Sequence, residues 1–459
     1  MQADSTIHSL IGRQREFFTT HATKDIVFRK RVLRLLYETV NRRMPDIAAA
    51  LQADLHKCTM DVFTQEVGIG LREIAHTLRH LRRWMAPRRS ASPLLLPLSS
   101  GYSICEPRGV ALIIGPWNYP FHLVMHPLIG AVAAGNCVVV KPSETAPRTA
   151  GLVADLIGDC FEEQHVAVVH GGVDTVELLL EQQPDYCFFT GGTAGGKRVM
   201  ELAARNLIPV TLELGGKCPC IVDAGSRLER AAARIVWGKF MNAGQTCIAP
   251  DYLLVHRSME GRLLELMKEK IRAFFGDDPR LSPAFGRIID RRHFDRCSRF
   301  LGDGTVVFGG ETAADELYIA PTLLTGVTME SAVMREEIFG PVLPVLSFAD
   351  TGEAVRIVNS LPKPLAVYLF SSSRSTARSV QRQTLSGSVV INDTVVQMTF
   401  GELPFGGVGA SGMGCYHGSH SFVTFSHQRS IVENTTLFDI PRYPPYRPFQ
   451  FKLMRMFFR

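Results

Sequence analysis

The segment FMNAGQTCIAP contains a cysteine, Cys247, whose type and neighbours could supply a nucleophile. A thiolate attacks carbonyl carbons readily, although a free thiol with a pKa of about 8.5 is only slightly ionised at neutral pH. Gly244 allows close approach of the backbone, and Gln245 and Thr246 are poor core residues between two apolar segments. The pattern predicts a reactive Cys247 in an exposed turn, with a buried structural thiol as the alternative.

A reactive cysteine needs a base, and Glu213 in VTLELGGK could serve as one. Leu212 and Leu214 flank it at the end of an apolar strand, so the carboxylate is expected to be desolvated on both sides. Desolvation raises a carboxyl pKa toward the range that is useful to a general base. The alternative is a structural ion pair with a cation such as Lys217.

Asn118 in IIGPWNYPF could stabilise negative charge on a substrate oxygen. It follows an apolar strand and a glycine-proline turn, and its amide can donate a hydrogen bond to a developing oxyanion. An asparagine after a strand is also a common turn or cap residue. Taken one at a time, these three segments leave both a catalytic and a structural interpretation open.

The elements around these residues predict an α/β fold. Residues 1 to about 85 have helical apolar spacing, and the proline-rich segment 86–101 predicts a connector or a strand that leaves the helical layer. From residue 108 short apolar runs alternate with helical stretches, which predicts βαβ units and a parallel sheet with helices on both faces. Such sheets bind ligands at the carboxyl ends of their strands, where GPWN, KPSE and TGGTAGG fall.

The alternation resumes after LIPVTLELGGK and continues through residue 390, which predicts a second α/β unit that contains Cys247. The segment GSVVINDTVVQMTF then predicts strands with alternating faces, followed by a glycine-rich loop.

Seven motifs along nearly the whole chain together resemble the aldehyde dehydrogenase superfamily, in that family's order: EPRGVALIIGPWNYP, VVVKPSE, FTGGTAGG, VTLELGGK, GQTCIAPDY, EEIFGPVLP and LPFGGVGASGMGCYHGSHSFVTFSH. The last block and GQTCIAPDY are similar to the class 3 branch, whose members oxidise medium to long aliphatic and aromatic aldehydes and include membrane-anchored fatty aldehyde enzymes. The resemblance implies a Rossmann-type nucleotide-binding domain, an α/β catalytic domain and a small β oligomerisation arm. It also implies a homodimer.

The resemblance divides the chain into four parts: an NAD(P)-binding domain at 1–85 and 108–210, a catalytic domain at 211–390, an arm at 86–107 and 391–440, and a basic aromatic tail at 441–459.

The resemblance also implies the reaction. Cys247 attacks the aldehyde, Asn118 and the Cys247 N–H hold the oxyanion, and Glu213 activates the water that hydrolyses the thioester. Acylating relatives that pass the acyl group to coenzyme A lack this glutamate, so the free acid is the expected product. Two alternatives stay open, a coenzyme A-acylating dehydrogenase and a catalytically silent protein that keeps the fold.

The implied coenzyme is NAD, with NADP as the alternative. The resemblance assigns Lys141 and Glu144 to the adenosine ribose, and Glu337 and Phe339 to the nicotinamide ribose. A carboxylate such as Glu144 repels a 2′-phosphate, which favours NAD.

The loop from Gly191 to Gly196 opens a helix, whose N-terminus suits a pyrophosphate. Gly192 stands where relatives usually carry a serine, so one side-chain contact to a phosphate is missing.

Tyr119, Phe405 and His417 are expected to line the aldehyde channel, with core packing as the alternative for each ring. His417 lacks the other ligands that a metal would need, so we expect no metal site.

Composition excludes several other classes of protein. With 459 residues, 46% hydrophobic and 20% charged, the chain is expected to be globular with two or three domains. The net charge of +6 is spread along the chain, and the clusters Arg29 to Arg34 and Arg79 to Arg89 are expected to be solvated helix faces, so we expect no nucleic-acid partner. The N-terminus lacks a signal-peptide pattern, which predicts a cytoplasmic protein with reduced cysteines.

The tail RYPPYRPFQFKLMRMFFR carries five basic residues, six aromatic residues and no acidic ones. Basic charge interleaved with aromatic rings suits an anionic lipid surface, which predicts peripheral membrane contact. Packing of the rings on a neighbouring subunit is the alternative.

Overall fold

A computed structural model describes residues 2–93, 96, 98–437 and 443–458 of the chain. The N-terminal part is helical, as the sequence predicts, and helices alternate with strands thereafter. The α-helices are Gln2–Thr19, Ile26–Arg42, Met44–Leu55, Thr59–Val62, Gly68–Met85, His122–Ala134, Pro147–Cys160, Val173–Glu181, Thr193–Ala204, Leu228–Phe240, Glu260–Phe275, Arg291–Arg299, Ala332–Arg335, Thr351–Ser360, Arg374–Gln383, Ser419–Thr424 and Pro448–Phe457. None of these helices is long and apolar enough to cross a bilayer.

The first sheet has six strands among the described residues. Their spatial order is Gly412–Met413, Val210–Glu213, Tyr186–Thr190, Val110–Ile114, Cys137–Lys141 and Val166–Val168. Gly412–Met413 is antiparallel to its neighbour, and the other strands are parallel. The strand order reverses at Val110–Ile114, which therefore marks the ligand-binding crevice of such a sheet.

The second sheet has seven strands within the described part of the chain. Their spatial order is Thr305–Phe308, Thr322–Thr325, Val342–Phe348, Tyr252–His256, Pro219–Val222, Ala366–Phe370 and Ser388–Ile391. Only the pairing of Thr305–Phe308 with Thr322–Thr325 is antiparallel. Both sheets are apolar because helices cover them, and the strand sequences are accordingly rich in Val, Ile and Leu.

A third, antiparallel sheet joins distant parts of the chain. Its strands are Arg88–Ser90, Ser100–Pro107 and Ser426–Glu433 in spatial order. Thr312–Ala313 and Tyr318–Ile319 form a separate two-stranded ribbon.

Three details differ from the sequence-based expectations. Arg29 is buried rather than solvated, because its guanidinium donates to the carbonyls of Thr23 and Ala133 at 2.6 and 2.9 Å. The second half of GSVVINDTVVQMTF is not a strand, since the chain turns at Val395 with φ of 65° and continues as the 3₁₀ turn Val396–Thr399. The strand Val210–Glu213 spans the boundary drawn at residue 210 and belongs entirely to the first sheet. Residues 94, 95, 97, 438–442 and 459 of the predicted arm and tail lie outside the described residues.

A buried ion pair connects the N-terminal helices to the first sheet. Lys57 pairs with Glu66 in the π-helical turn Phe63–Val67, and both side chains are almost fully buried. Lys57 also donates to the backbone carbonyl of Asn118 at 3.0 Å, and Glu66 accepts from the N–H of His122 at 2.8 Å. The pair therefore fixes the loop between the strand Val110–Ile114 and the next helix.

Replacing Glu66 with Gln is expected to lower the free energy of unfolding by about 3–5 kcal/mol, because it leaves the Lys57 ammonium buried without a counter-charge. Urea unfolding followed by circular dichroism measures the change. The double variant Lys57→Met/Glu66→Gln removes both charges and should lose clearly less stability than Glu66→Gln alone. Equal losses in the single and double variants would contradict the assignment of the pair.

Candidate active site

The first sheet brings several of the candidate residues to one edge. Glu213 and Thr190 end neighbouring parallel strands and lie opposite each other in register. Ile114 and Lys141 end the next two strands, also opposite each other. Because parallel strands present their carboxyl ends at the same edge, Glu213, Lys141 and the loop that carries Asn118 all start from this edge.

The turn before Cys247 has an unusual backbone. Asn242 and Ala243 both have φ of 52° and Gly244 has φ of 76°, so three consecutive residues are left-handed. A Cβ at Gly244 would lie 2.2 Å from the carbonyl oxygen of Gly340, so a side chain at this position would displace one of the two segments. Left-handed non-glycine residues are costly, and clusters of them are typical of functional sites.

Gln245 and Thr246 are buried, which corrects the prediction that they mark an exposed turn. The Gln245 amide donates to the carbonyls of Asn242 and Arg287, and its oxygen accepts from the N–H of Ile289 at 3.0 Å. A buried amide costs little free energy when its polar atoms are hydrogen-bonded. Gln245 therefore acts as an internal clamp on the turn, and only Cys247 itself is partly exposed.

Asn118 lies against this turn. Its side-chain amide donates to the carbonyl of Gln245 at 3.0 Å, and its own carbonyl accepts from the Asn242 amide at 2.9 Å. One amide hydrogen of Asn118 is used by Gln245, and the second is left for another acceptor. The next residue, Tyr119, hydrogen-bonds Thr246 at 2.6 Å. Hydrogen bonds from Asn118 and Tyr119 therefore link this loop to the residues just before Cys247.

A narrow cavity contains Cys247 and Glu213 on its walls. Burial raises the pKa of the Cys247 thiol to about 12, and the carboxylates of Glu337 and Glu213 contribute in the same direction. The N–H groups of Cys247 and Ile248 face the sulfur and act in the opposite direction. The thiol is therefore protonated at neutral pH and needs a proton acceptor before it can attack.

Glu213 is buried at the end of its strand, as the sequence predicts. Neither of its carboxylate oxygens has a hydrogen-bond partner among the described residues, and burial raises its pKa well above the ordinary value. The alternative ion pair with Lys217 is wrong, because Lys217 pairs with Asp251 instead. A desolvated carboxylate facing a cavity is a stronger base than one in water.

The same cavity is lined by rings from distant parts of the chain. Tyr119, Phe405 and His417 all contribute to its wall. His417 stacks on Phe405 with ring centroids 5.1 Å apart, and it also stacks on His126 at 4.3 Å. Beyond His417 lies an outer cavity of about 550 Å³ that shares His417 and Met398 with the inner one.

The residues assigned to a coenzyme lie where a dinucleotide could bind. Lys141 is buried and pairs with Glu144, whose side chain is about half exposed. Glu337 lies over Gly215, where a Cβ would be 2.0 Å from the carboxylate, and burial raises the pKa of Glu337 to about 8. Phe339 has φ of 48° and meets Trp117 edge-on, with ring centroids 5.3 Å apart.

Of the predicted loop, Gly191 and Gly192 precede the helix Thr193–Ala204, and Gly196 lies inside its first turn; among the described residues no side chain caps the helix start. Gly191 donates to the carbonyl of Glu213 at 3.0 Å, which places this helix end beside the catalytic candidate. A Cβ at Gly196 would meet Leu214 at 2.6 Å, so glycine allows the helix to pack closely on the sheet. Uncapped N–H groups at a helix start suit an anion such as a pyrophosphate. The donors present therefore fit a dinucleotide.

Sequence reasoning missed the residues that hold the site together. Lys57 and Glu66 belong to no recognised motif, and Lys57 is 61 residues from the carbonyl that it holds, while Asn242 was not singled out within its segment. A local sequence pattern does not reveal a buried charged residue, because its partner lies far away along the chain and only folding brings the two together. The only sequence signal was the polar run NAGQT before Cys247.

Comparison with known proteins identifies the family. The model of the aldehyde dehydrogenase family matches residues 2–431. The chain is 44% identical over 446 residues to 4,4′-diaponeurosporen-aldehyde dehydrogenase of Staphylococcus aureus, which covers 96% of this chain and 97% of that protein. It is 45% identical over 422 residues to aldehyde dehydrogenase family 3 member A2 of Rattus norvegicus, covering 92% and 87%. It is 43% identical over 444 residues to the dimeric NADP-preferring aldehyde dehydrogenase of Rattus norvegicus, covering 96% and 98%.

The fold matches as well. A substrate-bound structure of Staphylococcus aureus AldH superposes with a TM-score of 0.97 and 42% identity, over 99% of both chains. The predicted fold class and the class 3 resemblance are therefore confirmed. On these matches the chain belongs to the aldehyde dehydrogenase family, is similar to its family 3 members, and is an oxidoreductase of the aldehyde dehydrogenase type.

Proposed function

We propose that this enzyme oxidises an aldehyde to the free carboxylic acid through a covalent adduct on Cys247. The observation that supports this most directly is the single cavity that contains both the Cys247 thiol and the Glu213 carboxyl. A nucleophile and a base in one water-poor cavity can form and then hydrolyse an acyl intermediate.

In this proposal the Cys247 sulfur attacks the carbonyl carbon, and the oxygen becomes an alkoxide. The Asn118 amide and the Cys247 N–H stabilise this charge, since the N–H already faces the sulfur in the free protein. The family uses NAD(P), which supplies a hydride acceptor when it is bound. After oxidation the acyl group remains on Cys247 as a thioester, and Glu213 removes a proton from the water that hydrolyses it.

Protonation controls both steps. Because burial raises the pKa of Glu213, the carboxyl is largely neutral until the pH passes its raised pKa, and only the ionised form accepts a proton. Turnover is therefore expected to rise with pH through that pKa. The product is the free acid rather than an acyl-coenzyme A ester, because Glu213 activates water.

The substrate proposed here is a medium to long aliphatic or an aromatic aldehyde. The inner cavity is walled by apolar and aromatic side chains, including Leu123, Ile248, Met398 and Phe405, and it shares Met398 and His417 with the outer cavity. An apolar chain of several carbons would be desolvated in the inner cavity, which favours such aldehydes over small hydrophilic ones.

For the coenzyme we propose that Lys141 and Glu144 bind the adenosine ribose and that Glu337 and Phe339 bind the nicotinamide ribose. Gly191 to Gly196 would approach the pyrophosphate. Gly192 has φ of −74°, and a Cβ there would meet nothing within 4 Å, so backbone N–H groups alone serve the phosphates at this point. We propose NAD as the preferred coenzyme, with NADP as the alternative.

For the assembly we propose a homodimer built through the three-stranded arm. Its outer strand Ser426–Glu433 is mostly exposed, and edge strands of this kind pair readily with another chain. In this domain assignment, the first sheet and the N-terminal helices bind the coenzyme, and the second sheet carries Cys247. Residues 86–107 and 391–440 form the arm, apart from Gly412–Met413, which belongs to the first sheet.

We also propose that the C-terminal tail contacts an anionic membrane surface while the enzyme is otherwise cytoplasmic. The described part of the tail contains the helix Pro448–Phe457 with Lys452 and Arg455, and Phe449, Phe451 and Phe458 are more than half exposed. The alternative is that these rings pack against a neighbouring subunit.

The variant Glu213→Gln is expected to separate the two chemical steps. It should give a burst of at most one NADH per active site and then stall, with an acyl mass trapped on Cys247, because the thioester finds no base. Rapid-mixing absorbance measures the NADH burst, and intact-protein mass spectrometry detects the acyl group on Cys247. If Glu213 also deprotonates the thiol, the burst is slow but still stoichiometric. Wild-type turnover should rise with pH, and coenzyme A should not increase it.

Two controls sharpen this experiment. Cys247→Ala should form no NADH while it still binds coenzyme, and Cys415→Ala, a partly exposed thiol near Glu213, should behave like wild type. Near-normal steady-state turnover in Glu213→Gln would remove Glu213 from the mechanism. An acyl adduct on a cysteine other than Cys247 would remove Cys247.

The variant Glu144→Gln is expected to narrow the preference for NAD over NADP by about five-fold. This corresponds to about 1 kcal/mol of repulsion between a half-exposed carboxylate and a 2′-phosphate. Fluorescence titration gives the dissociation constant of each coenzyme, and Glu201→Gln, an exposed carboxylate on the helix Thr193–Ala204, is the matched control. Tighter wild-type binding of NADP than of NAD would overturn the proposal.

Deletion of residues 446–459 is expected to abolish salt-sensitive co-sedimentation with anionic vesicles while the sedimentation coefficient still reports a dimer. Vesicles of neutral lipid are the control. If full-length and truncated protein co-sediment equally, the membrane proposal fails. If truncation instead dissociates the dimer, the tail belongs to the subunit interface.

A further inference from the structure

We propose that His76, His80 and Glu402 form a site for a divalent first-row transition metal at the mouth of the substrate channel. One ligand atom from each of the three residues lies within 4.8 Å of the other two. His76 and His80 are one helical turn apart on Gly68–Met85, and Glu402 comes from the loop after the turn Val396–Thr399. The site lies outside the Cys247 cavity and is not used by the proposed mechanism.

The side chains are already oriented for coordination. His76 Nε2 is in direct contact with Glu402 Oε1. His80 Nδ1 lies 2.9 Å from the carbonyl of His76, so it donates there and keeps the lone pair of Nε2 available. Ser419 donates to Glu402 Oε2 at 2.9 Å, which orients the carboxylate toward the imidazoles. Metal-ligating groups usually have outer partners of this kind.

The set of donors determines the class of metal. Two imidazoles and one carboxylate suit Zn²⁺ and its first-row neighbours rather than Mg²⁺ or Ca²⁺. A tetrahedral site with bonds of about 2.0–2.2 Å holds its ligand atoms roughly 3.4 Å apart, so only small side-chain movements are needed. The fourth position would be open to water, because Glu402 is about half exposed.

The position of the site suggests its effect. His76 and Glu402 lie on the wall of the outer cavity, together with the loop residues Met398 to Leu403. Met398 also lines the inner cavity beside Cys247. A bound metal would tie this loop to the helix Gly68–Met85 and narrow the way to the inner cavity. Reversible inhibition by Zn²⁺ follows, strongest for long aldehydes, and it rests on the proposed use of this channel.

The sequence predicts no metal site, because the ligands lie far apart along the chain. A histidine pair at i and i+4 is common on helices, and its carboxylate partner lies 326 residues after His76. Only the folded chain brings these ligands together. His80 stacks on Trp84 at 6.0 Å, so part of the pair also has a packing role that a metal does not require.

Binding of Co²⁺ to the full-length protein tests the site without any assay of activity. Wild type should show visible d–d absorption without a thiolate-to-cobalt charge-transfer band, and Zn²⁺ should displace it. Glu402→Gln keeps the size of the side chain and should weaken binding at least ten-fold, as should His80→Gln. His256→Ala, a partly exposed histidine bonded to Ser258, is the control and should bind like wild type. Thermal unfolding verifies that each variant is folded.

Inhibition by Zn²⁺ then tests the effect on the channel. In wild type, Zn²⁺ should raise KM for a long aldehyde several-fold and leave the dissociation constant of the coenzyme unchanged, and Glu402→Gln should lose this effect. Equal Co²⁺ binding by wild type, Glu402→Gln and His80→Gln would overturn the site. A charge-transfer band that disappears in Cys247→Ala would assign the metal to the catalytic thiol instead. Specific binding without a change in KM would overturn the inhibitory role while leaving the proposed oxidation of aldehydes intact.

Discussion

Lys57 carries a charge into the interior, and the geometry of the site depends on how that charge is neutralised. Glu66 pairs with it, and the remaining hydrogen bonds of the two groups go to the Asn118 carbonyl and the His122 N–H. Breaking a buried ion pair costs far more free energy than breaking one at the surface, so the pair holds the loop in place. Asn118 and the turn before Cys247 then hold each other through hydrogen bonds in both directions. Asn118 and the turn that carries Cys247 can therefore occupy fixed positions beside the cavity that Glu213 lines.

The Cys247 thiol and the Glu213 carboxyl are both held in their neutral forms. Burial disfavours both the Cys247 thiolate and the Glu213 carboxylate, and each negative charge would disfavour the other. At most one of the two groups is therefore easily ionised at a time. A buried carboxyl without a partner also destabilises the fold at pH values above its ordinary pKa, because only its neutral form is well accommodated. In the mechanism proposed above, this cost at Glu213 accompanies its role as a base.

The sequence was sufficient for the features that depend on local order. Alternating apolar runs predict the parallel sheets, and the end of the apolar run VTLE predicts the desolvation of Glu213 because a strand end fixes the surroundings of its last residue. The sequence was not sufficient to predict where a buried polar side chain finds its hydrogen-bond partner in a distant segment. The polarity of Gln245 predicts an exposed side chain, yet its amide is buried and donates to the carbonyls of Asn242 and Arg287. The assignments of the coenzyme residues stay predictions, since they rest on motifs and on surroundings that fit.

The wall of the inner cavity shows how polar residue types can form an uncharged surface. Burial lowers the pKa of His122 and of His417 to about 3, so both imidazoles are neutral at any physiological pH. His417 then stacks between the Phe405 and His126 rings as a flat, uncharged group. His122, His417 and Phe405 thus contribute uncharged rings to the wall of the cavity that Glu213 also lines. Burial raises the pKa of Glu213 and keeps these histidines neutral, so one physical cause sets the protonation of both kinds of group.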